Sequence, residues 1–283
     1  ASEFESPQEQ REWLERATGG NIKYAFAALY HARRAVQLNP LEARAWLHLT
    51  ELAFLDGGPG DLSERILEQS LTLRPYDAQV LFVAGRDAYL RGDPQRWLEL
   101  WKQAFHRDVS VQRQIISQLS VFTETPVELL MQNFDPDLAA LERMSEIIRR
   151  SDLPGQKEHA LTVFSAALIK RAEAKDNFHR AMDWLKAAGV FAELNDDGQA
   201  RQCYEKALAS SPSNFVVRIE FAAWLIKQDE RAAALQHLQW CERLQPDHPR
   251  LHRLMAQAAT LPVQTRTQNN VQRVSGTTFD QPR

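Results

Sequence analysis

Two histidines and two cysteines are the residues whose type and spacing could hold a metal. His248 and His252 stand four apart, which sets two imidazoles on one helix face. Pro249 puts His248 at the helix entrance, however, and no third ligand is near in sequence, so we expect a solvated cap rather than zinc. Cys203 and Cys241 fall on equivalent helices of neighbouring sequence repeats, one turn out of phase. Buried free thiols are expected there in preference to a disulfide. No cofactor-binding residue is assigned.

Acidic and basic groups give the next candidates. Asp135-Pro136-Asp137 resembles the Asp-X-Asp with which many glycosyltransferases hold a metal and a sugar nucleotide. Helix capping is the stronger reading, with Asp135 as the cap, Pro136 in the first turn and Asp137 complementing the dipole. His106-Arg107-Asp108 looks like a kinase catalytic-loop triplet, yet no glycine-rich loop or Asp-Phe-Gly accompanies it, so a charged helix end is expected. No Gly-X-Ser-X-Gly elbow, P-loop or dinucleotide fingerprint occurs, and we expect no enzyme activity of this chain. The alternative is a helical enzyme whose site is assembled between hairpins, with Asp135 and Asp137 as its first suspects. Basic residues gather at Arg149-Arg150, Lys170-Arg171, Lys175 and Arg180. Asp152, Glu173 and Asp176 interrupt them, which reads as a solvated face rather than a nucleic-acid patch.

The elements that must position any such group are bounded by composition. In 283 residues, Lys+Arg 34 against Asp+Glu 37 gives a net charge of -3, and 44% of residues are hydrophobic, a normal globular balance. Two cysteines cannot staple a secreted disulfide scaffold, so the core must come from packing. Near-neutral charge supplies no field for nucleic acid or an anionic membrane, and neither is expected as a partner. The longest apolar window, Leu161 to Ile169, is nine residues and includes Thr162 and Ser165, too short to span a bilayer. The first residues, Ala1-Ser2-Glu3-Phe4-Glu5, show neither an initiator Met nor a signal peptide, which suggests a piece of a longer protein and leaves its compartment open.

An internal period organises the C-terminal half. Trp184 is followed by Ala187, Ala188 and Phe191, then by Ala200, Tyr204, Ala207 and Pro212. Pro246 lies 34 residues beyond Pro212, and the same offsets give Phe221, Ala222 and Leu225, then Ala234, Leu238 and Cys241. The pattern resembles the tetratricopeptide repeat, with Ala187, Ala188 and Phe191 departing from its Leu, Gly and Tyr. That resemblance implies an all-α, right-handed solenoid of stacked antiparallel helix hairpins that binds proteins or peptides. Small residues such as Gly85, Ala104 and Ala200 would let paired helices approach, while Trp and Tyr fill the groove against the next pair.

Less regular copies fill the rest. Ala28, Ala32, Ala35 and Pro40 match one second helix; Trp46, Leu49 and Ala53 match the first helix of the next unit, which Pro75 closes 35 residues after Pro40, the extra residue being absorbed near Gly57-Gly58-Pro59-Gly60. Leu81, Ala84 and Gly85, a turn at Gly92-Asp93-Pro94, then Trp97, Trp101 and Ala104 make another unit. Four segments are therefore expected: hairpins over 1–108, degenerate hairpins over 109–176, repeats with a cap over 177–260, and a disordered tail over 261–283. Within the second, the patterns predict helices over Val111 to Val121, Val127 to Gln132, Pro136 to Arg150 and Gln156 to Lys175; a helical insertion between two arrays is the rival reading. A last helix from His252 to Ala259, with Pro249 in its first turn, should turn Arg250, His252, Arg253 and Gln257 to water.

The resemblance places partner recognition on the inward face of the first helices. Leu185, Gly189, Ile219 and Ala223 occupy it in the C-terminal repeats, which lack the cations and amides of the family's carboxylate clamp. In the N-terminal units the inward set is Arg44, Leu47, Glu51 and Phe54, then Gln79, Phe82, Arg86 and Tyr89. This mixed set suits a peptide or helix with apolar anchors; packing of Phe54, Phe82 and Tyr89 between hairpins is the alternative. A looser resemblance also exists. The runs Ala84 to Leu90 and Trp97 to Asp108, continuing to Ile115-Ile116 and Phe134-Asp135-Pro136-Asp137, look like the repeat-bearing soluble part of bacterial O-antigen ligase or polymerase-like membrane proteins. That likeness implies a non-catalytic accessory region of a surface-polysaccharide enzyme.

Overall fold

A computed structural model describes residues 7–56, 62–174 and 179–260, and among these there are only helices and turns. Fifteen α-helices follow one another: α1 (Pro7–Thr18), α2 (Ile22–Leu38), α3 (Ala43–Leu52), α4 (Leu62–Leu73), α5 (Ala78–Leu90), α6 (Pro94–Phe105), α7 (Val109–Phe122), α8 (Pro126–Asn133), α9 (Leu138–Ile148), α10 (Gln156–Glu173), α11 (Arg180–Glu193), α12 (Asp197–Ser210), α13 (Phe215–Lys227), α14 (Arg231–Leu244) and α15 (Pro249–Thr260). Two compact units divide the chain, Ala1–Ala167 and Leu168–Arg283, with the border inside α10. The tail over 261–283 and the Gly57 to Gly60 segment lie outside the described residues.

In the second unit the sequence period becomes a structural one. α11 packs on α12, α13 on α14, and α15 closes against both α13 and α14. Helix starts at Asp197 and Arg231, and at Phe215 and Pro249, are 34 residues apart. Ala188, Ala200, Ala207, Ala222 and Ala234 are fully buried, so paired backbones approach closely. Trp184 and Tyr204 are buried and Phe191 is half-buried, while Pro212 and Pro246 sit exposed in the turns between hairpins. Tyr204 stacks on Phe221 at 5.1 Å, joining the second helix of one pair to the first helix of the next. Asp183 is buried, and Arg171 Nε donates to its Oδ2 at 2.8 Å while a second guanidinium N–H reaches Oδ1. Arg250 is half-exposed on the water-facing side of α15 and also makes a two-pronged pair with Glu220 at 2.5 and 2.7 Å.

The first unit uses the same hairpin with different fillers. α3 packs on α4 and α5 on α6. Trp101 of α6 is wholly buried, stacks on Phe82 at 5.5 Å, and donates its indole N–H to the Phe82 carbonyl at 2.9 Å. A methyl group at Gly85 would stand 2.2 Å from the Trp101 ring, so only glycine fits opposite it. Ala53 falls in a short 3-10 turn, Ala53–Asp56, just past α3 rather than within it. Ala28 matches Ala200 in sequence but is exposed on α2, whereas Ala200 is fully buried.

The four irregular helices fall close to their predicted places. α7, α8, α9 and α10 correspond to the four patterns, with ends shifted by a few residues. The cap of α9 differs: Asp137, not Asp135, accepts the Ala140 N–H, at 2.7 Å, and Asp135 adopts a left-handed backbone with φ 43°. His106 closes α6 and Asp108 opens α7 by accepting the Val111 N–H at 2.9 Å, a charged helix end as expected.

Turn chemistry is repeated with the period. Gly92, Asn195 and Asp229 are left-handed, with φ 76°, 59° and 58°, after α5, α11 and α13 in turn. The next residue then bonds five back: Asp93 to Ala88, Asp196 to Phe191 and Glu230 to Leu225, a Schellman closure each time. The turns between hairpins share another device. Trp46 donates to the Pro40 carbonyl at 2.8 Å and Arg218 to that of Pro212 at 2.9 Å, while His252 Nε2 lies 2.5 Å from that of Pro246. In each case the side chain six residues on ties down the oxygen that a proline-terminated helix leaves open.

Two glycines should respond oppositely to the same substitution. Gly85→Ala forces the buried indole aside and is expected to cost about 1–3 kcal/mol. At Gly189 of α11 an added methyl meets nothing, so Gly189→Ala should stabilise by about 0.5–1 kcal/mol. Urea unfolding followed by helical circular dichroism checks both signs.

Candidate functional site

The first helices of the N-terminal unit are amphipathic in two directions, since one face must seal its own hairpin and another is left over. α3, α5 and α7 are neighbours in order. Together they line one open groove of about 590 Å³. α3 supplies Arg44, Leu47, His48 and Glu51; α5 supplies Ala78, Gln79 and Val83, with Asp77 as its cap; α7 supplies Ser110 and Val111, entered through Arg107 and Asp108. Tyr76 stands at the mouth, 70% exposed. Leu47, Val83 and Val111 are buried and form an apolar floor, while the rim is charged.

Of the residues expected to face a partner, Arg44, Glu51 and Gln79 line this groove together. Arg86 reaches Glu51 from the next helix at 3.5 Å, an exposed pair worth at most about 1 kcal/mol. Phe82 is a correction: it is 4% exposed, stacked against Trp101, and offers a partner no surface. Tyr89 stacks on Phe122 of α7 at 4.1 Å and meets Trp97 edge-on, so it packs between helices. The side chain of Phe54 lies outside the described residues. Sequence reasoning missed His48, Tyr76, Val83 and the whole α7 wall, because the repeat letters stop before Val109. The signal that could have found Val83 is its spacing of four from Gln79.

In the second unit, Leu185 and Ile219 are buried, Ala223 is half-buried and Gly189 is exposed. Among the described residues no three His, Cys, Asp or Glu gather as metal ligands, and no helix is long and apolar enough to cross a membrane.

No family model matches the chain, and no curated protein matches it. Twenty-five chains of solved structures match it. One belongs to the crystal structure of the APC/C hetero-tetramer Cut9-Hcn1, at 14% identity and a TM-score of 0.38 over 83% of this chain and 46% of that one. The chain thus spans less than half the length of that neighbour.

Titratable groups away from the groove behave as buried structure. Desolvation pushes the Cys203 thiol up to about 11 and raises Cys241 as well, and both cysteines are free. His237 is depressed by burial and by the guanidinium of Arg218, which lies 3.3 Å from its Nδ1. The folded chain therefore holds His237 neutral where the unfolded chain would protonate it. Its contribution to stability is complete above the ordinary value of 6.5 and is lost as pH falls below that toward the depressed one. Urea midpoints at pH 7.5 and pH 5 should differ more for the native chain than for His237→Gln. At pH 8 both thiols should resist dithionitrobenzoate until the chain is unfolded.

Proposed function

We propose that this chain is a protein-interaction module that holds an extended peptide segment in the groove between α3, α5 and α7. The observation that carries the reading is the groove itself, open to solvent, floored by Leu47, Val83 and Val111 and rimmed by polar groups that can address a peptide backbone. Gln79 presents both an amide donor and an acceptor there, and Ser110 a hydroxyl. The stacked hairpins hold these walls rigidly, so little ordering of the receptor is needed on binding. The role is that of a binding scaffold, with no reaction assigned to it.

Ser110 is exposed at the groove wall, and Ser110→Trp should fill the space without touching the core. Peptides enriched on the native chain from a displayed random dodecapeptide library should bind this variant at least tenfold more weakly, with thermal unfolding unchanged. Peptides that bind both proteins equally would move the site out of the groove.

A further inference from the structure

The charges around the groove are unevenly used. Glu51 lies 3.5 Å from both Arg86 and His48. Asp77 accepts the N–H groups of Gln79 and Val80, and Asp108 accepts that of Val111, each at the positive end of its helix. The lining carboxylates are thus all engaged. The lining arginines are not. Arg44 is exposed; its backbone N–H donates to the Glu42 carboxylate at 3.3 Å, and its guanidinium has no hydrogen bond or ion pair among the described residues. Arg107 has its guanidinium carbon over the exposed Tyr76 ring at 5.0 Å, and its guanidinium N–H donors have no hydrogen bond or ion pair among the described residues.

These two arginines stand on opposite sides of the apolar floor, Arg44 on α3 and Arg107 where the chain enters α7. Two interhelical spacings of 8–10 Å separate those helices, roughly 16–20 Å, which an extended peptide covers in about five or six residues. Building on the groove reading above, we infer that the bound segment carries two acidic side chains about five or six residues apart, one for each arginine, with uncharged residues between them. The middle of the segment lies over Leu47, Val83 and Val111, past the self-satisfied Arg86–Glu51 pair. A nucleic-acid strand fits less well, because its charge on every nucleotide would meet Glu51, Asp77 and Asp108 as well as the arginines. A peptide can place acid at two points only.

The test uses the displayed dodecapeptide library selected on the native chain and counter-selected on Ser110→Trp, followed by fluorescence anisotropy. Enriched peptides should carry two Asp or Glu about five or six positions apart. Replacing either acid by its amide should weaken binding roughly three- to tenfold, as should Arg44→Gln or Arg107→Gln, and the two changes should not compound at the matching end. Enrichment of groove-dependent peptides without such acids would overturn the acidic pattern and leave the groove reading standing. No groove-dependent enrichment would overturn both. A single-stranded oligothymidylate that binds the groove more tightly than any peptide would make the ligand a nucleic acid and overturn the inference.

Discussion

The absence of one methyl group, at Gly85, lets the Trp101 indole enter between α5 and α6, and the rest of the N-terminal unit is arranged around that contact. With a side chain there, ring and helix would occupy the same space. The indole also anchors to the Phe82 carbonyl at 2.9 Å and stacks on the Phe82 ring, so α5 is fixed in rotation as well as in distance. An α-helix turns about 100° per residue, so with Phe82 and Gly85 turned toward α6, Val83 lies about 100° and 160° round from them, and Gln79 and Arg86 fall on the flank between Phe82 and Val83. The packing contact with α6 thus fixes which flank of α5 is left for the groove.

The second unit meets the same requirement with alanine in place of glycine. Ala188 and Ala200 are fully buried, and Trp184 and Tyr204 fill the spaces between pairs. The difference lies in what remains outside. There Leu185 and Ile219 are buried, whereas in the first unit charged and polar side chains stay at the rim over an apolar floor. On the proposed reading, a groove of that composition would exclude water along its base while its edges select by charge.

The turns show how a loosely conserved period can still give a regular object. Gly92, Asn195 and Asp229 differ chemically, yet each takes the left-handed conformation that ends a helix, which Asn and Asp tolerate better than other side chains. Trp46, Arg218 and His252 likewise share no chemistry beyond a nitrogen six residues past a proline, and each reaches that proline's carbonyl. Geometry at the turn recurs where residue identity does not.

The sequence by itself determined the hairpins, the 34-residue period of the second unit and the approximate places of the irregular helices, because these depend on local spacing, caps and turn residues. It grouped Arg44, Glu51 and Gln79 on one face of the first helices, and the three do line one groove. Periodicity did not decide between Phe82 and Val83, one residue apart, since both are apolar and only the Trp101 contact distinguishes their faces. The α7 wall was equally hidden, because the sequence there carries no repeat signature and its place beside α5 comes from packing, Tyr89 against Phe122 among the contacts. Only the tertiary structure decided which helices became neighbours, and with them that Arg44 of α3 and Arg107 at the entry to α7 line one groove, since that choice depends on surfaces far apart in the chain.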